Sequence, residues 1–406
     1  MKITIISSLY GVQGGGSGLI THYLAHGFKD RGHRVSVLTL GSNHRYSVRD
    51  QNGISVYQVK PFNLYPLDEK DTRPLWQRIL WQTLDIYNVH AARLLREILK
   101  TESPDIVHIH KMRGFSGSVW SVASRLFPAK VIQTCHDYES MSPDGLLRGV
   151  VGRMALEKKW PVRGYQLIRS RLSNGISMMT APSQFTLRRI RDSGLFPRAR
   201  QSVIANTHGW SEQELQSIHD DKPTFPAYPI RFLFLGRLET EKGICELCEA
   251  FRRPFDADQK IELAIAGWGS LEAELHQRYG GHPGIRFLGR VDGESKMEAL
   301  RNATIVVVPS LVEEVFGIVT IEAYAFGKPI IASNVGGLPE LVRQDETGWL
   351  VEPGDVSGLA QRMVSVSKLQ PPALAEMSRV CQELSYEFSM EKIVAEYLEL
   401  YEQLLK

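Results

Sequence analysis

Short apolar runs closed by Gly or Pro alternate along this chain with stretches whose apolar residues recur every three or four positions. Runs at 3–7, 35–39, 104–110, 130–134, 176–181 and 202–205 read as strands, and so do 230–235, 261–266, 285–288, 305–308 and 330–333. Most are rich in Val and Ile with little polar alternation, the mark of parallel strands covered on both faces. Helical spacing fills the intervals at 19–31, within 61–100, and from about Gly317 to the Gly327-Lys328-Pro329 stop. The expected class is therefore α/β, with doubly wound parallel sheets. The pattern lapses at 209–228, where Asp, Pro and Gln dominate, and then restarts. This lapse reads as a linker between a domain at 1–208 and another at 229–386. The tail at 387–406 reads as an amphipathic helix with Ile393, Val394, Tyr397, Leu398, Tyr401 and Leu404 on one side.

Composition narrows this picture only a little. A chain of 406 residues exceeds one ordinary core, in keeping with two domains. With 43% hydrophobic and 23% charged residues it is globular in type, and a net charge of +3 gives no reason to expect nucleic acid as a partner. The four cysteines include one C-x-x-C, Cys245 and Cys248, inside a helical pattern and with no second pair at zinc spacing, so both read as helix residues. The usage fits a reducing cytosol. The start MKITIISS reads as a first strand rather than a signal, and no run reaches membrane-spanning length. Between 148 and 171, Arg148, Arg153, Lys158, Lys159, Arg163, Arg169 and Arg171 face the single acid Glu157. That run reads as a solvated helix face, with peripheral contact to an anionic membrane as the second reading.

Candidate chemistry gathers where strands end. The run at 305–308 stops at Pro309-Ser310, a loop carries Glu313 and Glu314, and Glu322 falls in the first turns of the helix that follows. Ligands of open α/β sheets bind at the carboxyl edge, where a helix N-terminus offers free N–H groups to an anion. Two carboxylates beside such a terminus suit a nucleotide-type ligand with hydroxyls to bind. Arg237 and Lys242, in GRLETEKG after the strand at 230–235, are placed to hold a diphosphate. The loop GVQGGGSG after the first strand brings backbone close to a phosphate or sugar. It fits no frame of the dinucleotide fingerprint, and no acidic residue ends the second strand, which disfavours a nicotinamide or flavin oxidoreductase. His136 stands directly after the strand at 130–134, whereas His108 and His110 alternate within a strand and read as packing residues.

The ordered series GGxG, HD, GRLETEKG, AGWGS, FLGRV, PSLVEEVFGIVTIEA, GKPIIAS, GGLPELV and TGWLVEPGD spans nearly the whole chain. It resembles the retaining glycosyltransferases of family 4. The resemblance implies the GT-B fold: two Rossmann-like domains facing a central cleft, an acceptor-binding one at 1–208 and a nucleotide-sugar-binding one at 229–386, with 387–406 crossing back to the first. It implies that Arg237 and Lys242 hold the donor diphosphate, Glu322 the ribose hydroxyls and Glu314 the transferred sugar. Backbone N–H groups of Phe316, Gly317, Ile318 and Val319 would meet sugar and phosphate. Gly15 and Gly16 would approach the diphosphate from the other domain, His136 would line the sugar site, and Gly267, Gly269, Arg290 and Val291 would border the base. No cofactor and no metal are implied, since no Asp-x-Asp stands in a ligand-like position.

The implied reaction is retaining transfer of a hexose from a nucleoside diphosphate, UDP before GDP, to a glycan, lipid-linked or other hydroxyl acceptor, in the cytosol or at the inner face of the membrane. A small-molecule acceptor is the nearest alternative. From other classes stand an NAD-type oxidoreductase and a catalytically idle two-lobed nucleotide-sugar-binding protein. Asn206-Thr207-His208-Gly209 departs from the Asn-Gly-Val usual at that point of the family.

Overall fold

A computed structural model describes the chain except residues 12–14, 42–44, 66–72, 144, 146, 148 and 221–228, with 253–260 also outside it. Arg148 and the second half of the expected linker thus lie outside the described residues. The chain divides into two compact units, 1–209 together with 390–406, and 210–389.

The first unit runs β1 (Lys2–Ser7), α1 (Gly15–Asp30), β2 (Arg34–Leu40), β3 (Tyr46–Gln51), β4 (Ile54–Val59), α2 (Leu75–Ile86), α3 (Val89–Glu102), β5 (Ile106–Lys111), α4 (Ser118–Leu126) and β6 (Val131–Thr134). It continues with α5 (Gly149–Leu156), α6 (Val162–Leu172), β7 (Met178–Ala181), α7 (Gln184–Asp192) and β8 (Arg200–Val203). Its sheet has the order β3-β4-β2-β1-β5-β6-β7-β8, parallel except for the β3–β4 hairpin. That hairpin was not expected from the sequence, because β3 is YSVRDQ, a polar edge strand with no buried residue.

The second unit holds α8 (Glu212–Asp220), β9 (Ile230–Leu235), α9 (Ile244–Phe251), β10 (Ile261–Ala266), α10 (Glu272–Tyr279), β11 (Ile285–Gly289), α11 (Gly293–Asn302) and β12 (Ile305–Val308). It ends with α12 (Ile318–Ala325), β13 (Ile330–Ser333), β14 (Gly348–Val351), α13 (Val356–Ser367) and α14 (Pro371–Ser385). The sheet order is β11-β10-β9-β12-β13-β14, parallel throughout. Part of the stretch read as a linker is thus α8. Leu215 and Ile218 are buried, and His219 Nε2 lies 3.0 Å from the carbonyl oxygen of Ala325 within the same unit. Cys245 and Cys248 both lie on α9 as free thiols, and burial pushes the Cys248 thiol up to about 12.

The last helix, α15 (Met390–Leu405), belongs to the first unit. It buries Ile393, Val394, Tyr397, Leu400 and Tyr401, so Leu400 takes the place expected of Leu398. A Cβ on Gly27 of α1 would come within 2.4 Å of Val394, so a side chain there would hold the two helices apart. Phe28 meets the rings of Tyr397 and Tyr401. Their hydroxyls reach into the sheet: Tyr401 Oη lies 2.6 Å from His108 Nδ1, and Tyr397 Oη 3.2 Å from Thr134 Oγ1. His108 Nε2 is 2.7 Å from Thr134 Oγ1, so both ring nitrogens of this fully buried histidine are satisfied. Tyr401→Phe leaves Nδ1 without its partner and should destabilise the first unit by about 1–3 kcal/mol in urea unfolding. An unchanged midpoint would show that the tail is not bonded to the sheet in this way.

Candidate active site

In the second sheet the chain first winds outward through β9, β10 and β11, then returns to place β12 on the other side of β9. The loops that leave β9 and β12 therefore flank the point where the winding reverses, the place where such sheets bind ligands. These two loops carry GRLETEKG and PSLVEEVFG.

Close backbone approach locks them together. Gly243 has φ +68, and a Cβ there would stand 1.8 Å from the carbonyl oxygen of Pro309, so only glycine fits. The N–H of Leu311 donates to the carbonyl of Glu241 at 2.9 Å. Across this seam Lys242 Nζ donates to Glu314 Oε1 at 2.6 Å, and the Ser310 hydroxyl donates to the same oxygen at 2.7 Å. Arg237 extends from the start of the loop, half exposed and 3.5 Å from Glu241. The loop bearing Glu314 is held from behind, where the N–H of Gly337 donates to the Glu314 carbonyl at 2.7 Å.

Burial alone would push the Glu314 carboxyl up. Lys242, Ser310 and Arg237 more than offset it and hold the group below its usual range. Gly317, with φ +103, opens α12, so the N–H groups of Ile318 and Val319 belong to the first turn and have no partner inside the helix. Phe316 is buried beneath this turn against the ring of Phe388.

Glu322 takes no part in the Lys242 pair. It is buried on α12, and Lys296 of α11 donates to its Oε1 at 2.7 Å. Lys296 Nζ also lies 5.8 Å from the centre of the Trp210 ring. Nothing in the spacing of the sequence marked Lys296, because its contact depends on how α11 packs beside α12. Gly267 and Gly269 line the loop after β10. A Cβ on either would strike the backbone of the β9 loop, at 1.7 Å from the Gly236 oxygen and 2.3 Å from the Leu238 oxygen. Arg290 lies over the ring of Trp268, 4.6 Å from its centre, and both side chains are exposed. Trp268 lies within the stretch from Gly267 to Gly269 expected to border the base, and its flat exposed ring suits a planar partner. An opening of about 500 Å³ lies on the sheet face between β9–β11 and α11, and of the expected site residues only Val291 borders it.

In the first unit, Gly15 and Gly16 begin α1 at the carboxyl edge of β1, and His136 follows β6, with β5 between the two strands. His136 Nε2 is 2.7 Å from His110 Nδ1, a partnership that treating His110 as strand packing overlooked. Burial is the main cause that pushes His136 down to about 4, Lys111 adds to it, and Asp137 acts the other way. His110 is driven well below its ordinary value by burial and by its two histidine neighbours. Both rings are thus neutral near pH 7, and one nitrogen must donate to the other. Beyond them, Lys111 donates to Asp137 at 2.8 Å, while burial and Asp137 raise the carboxyl of Glu139. Among the described residues no three His, Cys, Asp or Glu side chains gather as a metal site.

Two family models match the chain: "Glycosyl transferase 4-like domain" over 15–207 and "Glycosyl transferases group 1" over 216–385. A glycogen synthase of Mycobacterium tuberculosis is 28% identical over 395 residues, covering 93% of this chain and 88% of the relative. Among solved structures, sucrose-phosphate synthase of Thermosynechococcus elongatus superposes with a TM-score of 0.72 at 19% identity, over 100% of this chain and 99% of that one. A protein of Anabaena solved in complex with UDP superposes with a TM-score of 0.65 at 19% identity, over 99% and 100%. These likenesses place the fold in the GT-B class.

Because Glu314 is held in its charged form by Lys242, its contribution to stability is fully present above about pH 4.5, its unperturbed value, and is lost as pH falls through the lower folded value. Glu314→Gln should cost about 1–3 kcal/mol at pH 7, and the gap from the wild type should close in urea titrations as pH falls through the lowered value of the folded carboxyl. A gap that does not vary with pH would mean that the pair does not set the charge of Glu314.

Proposed function

This chain belongs to the group 1 glycosyltransferases of the family 4 type, and we propose that it moves a hexose from a nucleoside diphosphate, UDP before GDP, to a hydroxyl acceptor with retention of configuration. The observation that carries the donor assignment is the Lys242–Glu314 contact at the winding reversal of the second sheet, with Arg237 on the same loop. Glycosyl departure leaves negative charge on the diphosphate while the sugar gains cationic character. Lys242, Arg237 and the first turn of α12 supply positive charge and N–H donors where that negative charge grows. Lys242 already has an anionic partner in Glu314, so an arriving diphosphate would share this cation and free the carboxylate to bind sugar hydroxyls. Glu322 would then bind the ribose, and Trp268 with Arg290 would border the base.

With two cations and a helix end doing this work, the reaction needs no divalent metal. The UDP held by the Anabaena neighbour supports the choice of base. The glycogen synthase relative supports a glycan as one acceptor class, with lipid-linked glycans as another. Retention by same-face attack, with a donor phosphate oxygen taking the acceptor proton, assigns Glu314 a binding role and leaves no residue as covalent nucleophile. His136 is neutral and would line the sugar site through its ring and backbone carbonyl.

Lys242→Ala should lower kcat/KM for UDP-sugar hydrolysis by about 10²–10³, the loss typical of one donor to a developing anion. Glu322→Gln should mainly raise the donor KM, by about 10-fold or more, as lost charge-assisted hydrogen bonds would. Chelator should leave both hydrolysis and transfer unchanged. Near wild-type rates in both variants would reject the donor site, and activity restored only by magnesium or manganese would reject metal independence.

A further inference from the structure

Exposed large apolar side chains are gathered in one part of the first unit. Of the sixteen among the described residues, twelve fall between Phe62 and Ile168. Helix α2 carries the densest set. Trp81 and Asp85 point inward, while Trp76, Ile79, Leu80 and Leu84 form an outward stripe at helical spacing, continued by Tyr87 beyond the helix end. Trp76 is 62% exposed and Ile79 57%. A surface helix normally turns a polar face to water, so an apolar stripe there marks contact with something else.

Helix α6 packs beside α2 and adds exposed Leu167 and Ile168, and Trp160 at its start is 78% exposed. The two helices meet near Gly117, where a Cβ would lie 2.8 Å from the Ile86 oxygen and 2.9 Å from Leu172. Among the described residues of 149–171 the exposed charges are mostly positive. Arg153, Lys158, Lys159 and Arg171 are exposed and Arg163 is half-buried, while the acid Glu157 is paired with Lys159. Asp85, the acidic residue of α2, is buried and accepts from the N–H of Gly114 at 2.7 Å.

We propose that the α2–α6 face rests on an anionic lipid bilayer, with the α2 stripe and Trp160 entering the headgroup boundary and the α5–α6 cations meeting lipid phosphates. Apolar, aromatic and cationic side chains combined here, with the cations of 149–171 outnumbering its one acid, Glu157, which Lys159 pairs, fit that occupant better than a protein partner of mixed charge. No helix among the described residues is long and apolar enough to cross a membrane, so the contact is peripheral. The face adjoins the carboxyl edge of the first sheet. Asp85 of α2 bonds the loop after β5, and Tyr165 of α6 donates to the Glu139 carbonyl in the loop after β6, three residues beyond His136. A bilayer there would present a lipid-linked acceptor to that edge. The contact itself does not depend on the donor chemistry proposed above.

Co-sedimentation with phosphatidylcholine vesicles, with and without phosphatidylglycerol, tests this. The full chain should bind the mixed vesicles in low salt and lose binding as salt rises. Arg153→Ala with Lys158→Ala should weaken binding about thirtyfold, from roughly a kilocalorie per cation. Trp76→Ser with Ile79→Ser should weaken it at least tenfold. Both pairs should keep the wild-type thermal midpoint and rate of donor hydrolysis, because neither touches the donor site. Absence of wild-type binding, or binding that ignores phosphatidylglycerol and both variant pairs, would overturn the proposal. So would a dimer in light scattering that Trp76→Ser dissolves without any vesicle binding, since the stripe would then cover a second copy.

Discussion

The seam at Gly243 and Pro309 is the constraint on which the proposed donor site depends. A side chain at 243 would push the β9 and β12 loops apart. Because they touch, Lys242 reaches Glu314 at 2.6 Å and, with Ser310 and Arg237, holds its carboxyl below the usual range against the upward push of burial. The sheet winding brings the loops side by side, glycine allows the approach, and the ion pair follows. Two charges held this way before any ligand arrives are preorganised, which is what stabilisation of a developing anion requires.

Both units pair carboxylates with ammonium groups at these strand ends, Lys111 with Asp137 in the first. In the second, carboxylates and ammonium groups are paired: Lys242 with Glu314, Lys296 with Glu322. Each pair joins neighbouring elements, and in the proposed reading each would exchange with a hydroxyl-rich, anionic ligand. The first unit adds His110 and His136, which burial keeps neutral beside the Lys111–Asp137 pair. The tyrosines of α15 complete the same buried network from behind, so the tail of the chain contributes to the order of a sheet laid down some three hundred residues earlier.

Much of the second unit could be read from the sequence, because its strands are short, apolar and closed by Gly or Pro, and because Arg237, Lys242, Glu314 and Glu322 all follow such strands. What escaped notice was produced by tertiary packing. Strand β3 has no buried residue and therefore no apolar signal. Helix α8 is nine residues with two buried positions, too few for periodicity to stand out from a linker. Lys296 and His110 gain their meaning from partners on other elements. The outward stripe of α2 was hidden for a different reason: helical spacing reveals that apolar residues share a face and not whether that face is covered.

In a crystal structure of the chain with UDP, the diphosphate should lie on Lys242 and Arg237 at the first turn of α12, the ribose on Glu322 and the base beside Trp268. A nucleotide bound instead in the opening between β9–β11 and α11, with Lys242 still on Glu314, would contradict this placement.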